Sequence, residues 1–342
     1  MKLFTGLVIA AAAVSFAAPD AVAKKIKVQA SSKAGDWAHK FYLERAKLLS
    51  EMTGGKVEVD VLPTKAVVPH RETIDAVANG ILDGDLNAVS YFSGRDPAFA
   101  IIGDLIAGYD TVDQVNTFCN HGGGKEILQK LYDKYTKGKV HVVGCSPYAK
   151  EAFVSTIPIK TVADMKGVKV RSPEGLAAEV FKRAGAAPVS LPFSEVYTAL
   201  EKKLIDAADA SAFVNNEASG MHKIAKYPIY PGIHSMAVRQ LIINKRVWDK
   251  MSKGEQIAVE MWYRSTEDAM RREAKLQDAE IAEKYSKPGS DVTIIDWSKE
   301  ERAKFREIAV GAWEDFASKS PLAKEALDAH TSYMKKIGLL QK

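Results

Sequence analysis

The chain has 342 residues, 27% of them charged and 46% hydrophobic, with a formal net charge of +5 at pH 7. That balance is ordinary for a globular protein. The mild positive excess is spread among many acidic residues, with no dense Lys/Arg run interleaved with aromatics, so nucleic-acid binding is not expected.

Residues 1–23 read as a secretory signal peptide. Lys2 supplies the positive start, "LFTGLVIAAAAVSFAA" the apolar core, and "AVA" at 21–23 a small-x-small cleavage site before Lys24. No later stretch approaches the roughly 20 apolar residues of a membrane-spanning helix, so the expected mature chain is exported and soluble. Removing 23 residues from 342 leaves about 319, more than one core usually organises, and two domains are expected.

"KKIKVQASS" (24–32) reads as a first strand ending in small polar residues. "DWAHKFYLERAKLLSEMTGG" follows with helical spacing of apolar residues and a Gly54-Gly55 stop. "KVEVDVLP" (56–63) alternates as a strand. "RETIDAVANGILDGDLNAVS" gives a short helix, a stop at Gly80 and a strand near 85–90. The order β-α-β-α-β with short connections indicates an open α/β sheet. "HGGGK" (121–125) has a phosphate loop's glycines without its first Gly or its Ser/Thr, and reads as a loop and helix start. Cys119 and Cys145 are candidates for one disulfide, which spacing alone does not pair. CxxC spacing is absent, which argues against a structural zinc site.

Strands are expected at 139–147 and 152–159. "MKGVKVRSPEG" (165–175) then holds a short strand that ends on Arg171, where Pro173 and Gly175 forbid its continuation. Two readings stand for Arg171: a solvated surface turn, or a cation aimed at something. A helix stopped by Gly185, a strand at 187–191 and a helix N-capped by Ser194 complete a second α/β unit over 149–233. "AVRQLIINKRVWDKM" (237–251) begins as a strand returning to the first domain. Residues 253–285 form one long helix, and two further helices finish the chain.

The expected fold class is α/β, a two-lobed periplasmic binding protein fold with crossover strands, a long inter-domain helix and a helical C-terminus. Lobe I comprises 24–148 plus about 234–262, and lobe II comprises 149–233 plus about 275–342. The long helix, 253–285, spans both. A ligand cleft is expected between the lobes, at the strand C-termini.

Catalytic machinery is hard to find. There is no GxSxG elbow, HExxH, EF-hand pattern or Rossmann fingerprint. Asp206 and Asp209 in "IDAADASAF" are paired carboxylates, but Asp206 reads as a helix end. An enzyme is not expected.

Three segments carry a family resemblance: "ETIDAVANGILDG" (72–84), "IPIKTVADMKGVKVRSPEGLAAEVFKRAGAAPVSLPFSEVYTALEKKLIDAAD" (157–209) and "GMHKIAKYPIY" (220–230). On these the chain resembles the solute-binding subunit of TRAP (tripartite ATP-independent periplasmic) transporters, DctP-like, nearest the branch that binds 2-oxo acids and monocarboxylates. The resemblance implies a periplasmic receptor that closes on a small organic acid. It would deliver the acid to the small and large integral-membrane permease subunits for ion-gradient-driven uptake, as a monomer or dimer. The alternatives are an exported binding protein feeding a sensor system and a secreted enzyme on the same fold.

In that family the arginine ending KGxKxR anchors the ligand carboxylate, which implies this role for Arg171; the planar, permanently charged guanidinium suits a bidentate pair. The resemblance also brings Asn87 and Tyr91 to the first-lobe wall, and Ser32 and Trp37 to the turn after the first strand. Core packing competes as a reading of Tyr91, and helix packing of Trp37. Tyr148 and Glu151 enter the second lobe, where an unpaired Glu151 would repel an anion, so an exposed Glu151 is expected. His234 lies where the chain recrosses and has cleft and solvated-loop readings. The family's branches commonly place Glu-Trp or Glu-Asn where this chain has Asp209-Ala210. Asp209 keeps an oxygen ligand for a sodium or calcium ion bridging the ligand, and Phe213 is expected to refill the space as an apolar wall.

Overall fold

The architecture was obtained as a computed structural model that describes residues 23–340, so all but the last residue of the expected signal peptide, 1–22, lies outside the described residues. Nine strands form in chain order: β1 (Lys24–Ala30), β2 (Val57–Leu62), β3 (Gly84–Ala88), β4 (Val140–Pro147), β5 (Phe153–Ser155), β6 (Lys169–Ser172), β7 (Ala187–Ser190), β8 (Ala207–Asp209) and β9 (Val238–Asn244). They divide into two sheets, β2-β1-β3-β9-β4 and β5-β8-β6-β7. In the first, β1 runs parallel to β2 and β3, and β9 is antiparallel to β3 and β4. The chain therefore leaves the first sheet after β4, builds the second, and returns as β9.

The reason for the return is legible in β9. "VRQLIIN" is buried along its whole length, as a central strand covered on both faces requires. In the second sheet β6 is flanked by parallel β7 and β8. β5 pairs antiparallel with β8.

The helices are α1 (Trp37–Met52), α2 (Thr73–Asn79), α3 (Pro97–Gly103), α4 (Val112–His121), α5 (Gly124–Thr136), α6 (Leu176–Arg183), α7 (Val196–Glu201), α8 (Phe213–Ala218), α9 (Lys245–Asp249), α10 (Lys253–Ser286), α11 (Lys299–Ala317) and α12 (Pro321–Lys336). Helix α10 is the expected long helix, opened by a capping box between Ser252 and Glu255. It packs on β4 and α1 from the first sheet's layer and on α8 from the second's. The C-terminal helices are shared as well. Helix α11 lies on α6, whereas α12 lies on α3 and α5, beside the first sheet.

Three local expectations are corrected. Strand β3 ends at Ala88, and the chain winds into a 3-10 turn over Val89–Phe92 instead of extending to 90. Strand β5 covers only 153–155 of the expected 152–159. Ser194 caps nothing, because a 3-10 turn over Phe193–Glu195 precedes α7 and leaves the Ser194 hydroxyl buried without a partner. The cysteines are both free and buried, with the Cys145 thiol 3.9 Å from the Cys119 carbonyl. Among the described residues no helix is long and apolar enough to cross a membrane.

The contact of α10 with the first sheet rests on a glycine. The β4–β9 register shifts between Val142 and Gly144, and there the buried Tyr263 ring of α10 lies against the strand. A Cβ on Gly144 would fall 2.7 Å from Tyr263 Cε1. Tyr263 is itself fixed, since its hydroxyl donates to the Arg239 carbonyl at 2.9 Å. Gly144→Ala should therefore lose about 1–3 kcal/mol to overpacking, read as a lower urea midpoint at unchanged slope. An unchanged midpoint would show that α10 is free to shift.

Candidate functional site

Strand β6 ends by delivering Arg171, and the surrounding backbone receives it. Its Nε donates to the Leu191 carbonyl at 2.8 Å, Nη1 to the Asp209 carbonyl at 2.7 Å, and Nη2 to the Tyr91 hydroxyl at 3.4 Å. The side chain is 2% exposed, and among the described residues no carboxylate is salt-bridged to it. Gly175, three residues past the strand, is needed for two reasons. Its φ is +89°, and a Cβ there would sit 2.9 Å from Ser93 on the opposite wall.

That wall belongs to the first sheet's layer, so the two layers meet here. Tyr91 bridges them by accepting from both Arg171 and the Phe193 N–H, the latter at 3.3 Å. Outside, Lys65 pairs with Glu195 at 2.9 Å and Arg71 with Glu174 at 2.6 Å. Each is an exposed pair, worth roughly 0–1 kcal/mol. The cleft they close is tight, with an accessible volume of about 50 Å³. Ser31, Ser32, Asp36, Ser90 and Tyr91 line it on one side, and Tyr148, Glu151, Arg171, Phe193 and Asn215 on the other, with Arg239 contributed by β9.

Beneath the cleft lies a buried acidic cluster. Tyr148 donates to Glu151 Oε1 at 2.6 Å, and the Glu151 carboxyl lies within hydrogen-bonding range of the Asp209 carboxylate. Burial, then the charges of Asp209 and Asp104, push Glu151 well above the usual carboxylate range, so it carries a proton. Asp209 stays ionised although burial opposes it, because His234 and Glu151 donate to it and Arg171 is close; its pKa is lowered. The His234 Nε2–Asp209 Oδ1 distance is 2.7 Å. Asp209 Oδ2 has no donor among the described hydrogen bonds, and the protonated Glu151 beside the carboxylate is a donor to it. Asp104, bonded to Ser235, is pushed up to about 7 by burial and by Asp209.

Arg239 is compensated differently. It stacks on the Tyr148 ring at 3.9 Å and donates to Tyr42, which donates in turn to buried Glu267.

Of the expected positions, the fold brings Arg171, Tyr91, Ser32 and Tyr148 to the cleft. The others lie elsewhere. Asn87 Nδ2 donates to the His70 carbonyl inside the first layer, and Trp37 packs on Phe41 with ring centroids 5.7 Å apart. Phe213 is fully buried and stacked on Tyr230 at 4.7 Å. Asp209 and His234 face each other below the floor, and Asp209 meets the site through its carbonyl.

Glu151 is a correction. It is 7% exposed rather than solvated, and protonation removes the repulsion on which the expectation of exposure rested. Arg239, Asp36 and Asn215 escaped sequence reasoning. The signal for Arg239 was a lone charge inside "AVRQLIIN".

A sodium or calcium ion at Asp209 does not fit the donors present. The donor atoms of Glu151, Asp209 and His234 lie within 4.8 Å of one another, but one of the three is an imidazole, whereas calcium takes roughly six to eight oxygen ligands.

Residues 29–320 match the family model described as bacterial extracellular solute-binding protein, family 7. The chain is 40% identical to a TRAP periplasmic solute-binding protein from Rhodobacter sphaeroides, whose apo open crystal structure superposes with a TM-score of 0.76 over 93% of this chain and 100% of that one. It is 27% identical, over 85% of its length and 79% of the relative's, to a monocarboxylate 2-oxoacid-binding periplasmic protein of Nostoc sp.. A solute-binding protein from Bordetella bronchiseptica, a mixed-occupancy dimer with calcium and picolinate in one site, shares the fold at a TM-score of 0.80 and 23% identity. That match covers 92% of this chain and 93% of the other. The chain belongs to the TRAP periplasmic solute-binding proteins, a family of binding proteins rather than enzymes, which capture a small solute and work with a membrane permease.

The buried titratable groups set a pH dependence. Burial raises Asp85 to about 8 and Asp278 to about 7, beside Asp104 at about 7. These native carboxyls hold protons that the unfolded chain has lost above about pH 4, so stability falls as pH rises through 7 to 8. Burial lowers His70 and His141 to about 4 and His330 to about 3. Their contribution rises with pH up to the unfolded value near 6.5 and is then constant. The melting temperature should therefore fall between pH 6.5 and 8.5 in scanning fluorimetry, and less steeply in Asp104→Asn. A melting temperature that rises across this interval would contradict the assignment.

Proposed function

We propose that this protein captures a small organic acid anion by closure of two lobes, with Arg171 as the carboxylate anchor, and delivers it to the TRAP permease subunits for ion-gradient-driven uptake. The observation that carries this reading is the state of Arg171. It is buried and permanently charged, and it is held by neutral oxygens with no paired carboxylate among the described residues. A buried cation with no directly bonded carboxylate is costly, even with the Asp209 charge nearby, and an anion entering the cleft relieves that cost. Three of the five guanidinium N–H groups are engaged by protein, which leaves two for a bidentate carboxylate.

Lobe I is the first sheet with its helices, and lobe II is the second sheet with α6 to α8 and α11. Strand β9 and helix α10 join them. Tyr91 and Ser32 form the first-lobe wall of the ligand site, Tyr148 the second. The Nostoc relative's 2-oxo acids are consistent with a ligand of this class. Residues 1–23 are read as the signal peptide, cleaved after Ala23 on export to the periplasm.

A thermal-shift panel of small organic acids identifies a ligand, since one that binds only the folded form raises the melting temperature. Calorimetry with that acid should then show Arg171→Ala folded but weaker by about 2–5 kcal/mol. Arg171→Lys should also bind less tightly, because the fork is lost. Wild-type affinity in the Ala variant would remove Arg171 from the site.

A further inference from the structure

Asn215, in the cleft wall, has an unpartnered side-chain carbonyl oxygen. It is 3% exposed, it lines the cleft, and its Oδ1 is buried with no hydrogen-bond donor. A buried acceptor left unmade is destabilising.

The orientation of its amide is fixed by a directed chain. Tyr148 spends its proton on Glu151 Oε1, at 2.6 Å. The Tyr148 oxygen can then only accept, and Ser211 Oγ, 2.7 Å away, must donate to it. Ser211 has no second proton, so its oxygen accepts from Asn215 Nδ2 at 3.0 Å. Rotating the amide would set two acceptors against each other. Oδ1 is therefore the atom left over. Asp36, across the cleft, adds a second acceptor, and Ser32 Oγ is also buried without a partner.

We propose that Asn215 is a specificity residue, selecting acids that carry a hydrogen-bond-donating hydroxyl or amino group. The inference rests on the organic-acid reading above and narrows it. An oxo group has only lone pairs, so a 2-oxo acid leaves Asn215 Oδ1 unpaired. A hydroxyl or an ammonium group satisfies it. A site built to receive a donor discriminates strongly against an analogue that lacks one, because its own polar group is then stranded.

The test is calorimetry of the full mature protein with matched four-carbon acids: 2-, 3- and 4-hydroxybutanoate, the corresponding aminobutanoates, 2- and 3-oxobutanoate, and butanoate. At least one hydroxy or amino acid should bind roughly tenfold or more tightly than its oxo and unsubstituted partners. Comparing the hydroxy and amino arms tells which donor is preferred. Asn215→Ala should erase that advantage while still binding the plain acid. Retained binding of the plain acid by Asn215→Ala separates the proposal from a general loss of fold.

If the acids bind in an Arg171-dependent way but oxo or plain acids match the donor-bearing ones, Asn215 is not a specificity residue and the organic-acid reading stands. The proposal also fails if Asn215→Ala keeps the preference. If wild type binds none of the panel or of a wider set of organic acids, the organic-acid reading and this proposal fail together.

Discussion

A guanidinium that is buried, permanently charged and without a directly bonded carboxylate is the constraint on which the rest of this structure depends. Arg171 is held by the carbonyls of Leu191 and Asp209 and by the Tyr91 hydroxyl. Neutral oxygens solvate a cation without cancelling its charge. The positions of three separate segments are thereby tied to one side chain: the loop after β7, the end of β8, and the turn after β3 from the other sheet. Strand β6 must stop where it does, and Gly175 must be a glycine, for the walls to close around that group.

The acids beneath the cleft pose the opposite problem, and the fold solves it by protonation. Glu151, Asp209 and Asp104 are too close and too buried to be charged together. Only Asp209, which has His234 on one oxygen, the Glu151 proton for the other and Arg171 nearby, keeps its charge. Glu151 can therefore sit beside the proposed anion site without repelling a ligand there. Its Oε1, which accepts from Tyr148, also sets the direction of the chain through Tyr148 and Ser211 to Asn215. The hydrogen bonding of the floor thus determines which atom of the wall is left to meet a ligand.

Closure itself is held by little. The pairs Lys65–Glu195 and Arg71–Glu174 are exposed, and the Tyr91 bridge is a long one. Weak contacts across the mouth suit the lobe closure proposed above. The rigid parts are elsewhere, in β9 buried along its length and in α10 seated on Gly144.

Sequence periodicity was enough for the two α/β units, the returning strand at 237 and the long helix after 253, because each buries a regular apolar face. The halt of β6 after Arg171 was legible because Pro173 and Gly175 are local backbone chemistry. The family was legible in the run 157–209. Other features were decided only by the tertiary structure. Glu151 was expected in solvent because its protonation depends on Asp209 and Asp104, which lie far from it in sequence. Phe213 was expected in the cleft, but its neighbour Tyr230 belongs to another loop. Arg239 and Asn215 entered the site through strand pairing and a three-residue hydrogen-bond chain. Local sequence halted β6, though not β3 or β5; the charge of a buried acid and the free atom of an amide belong to whatever the fold packs around them.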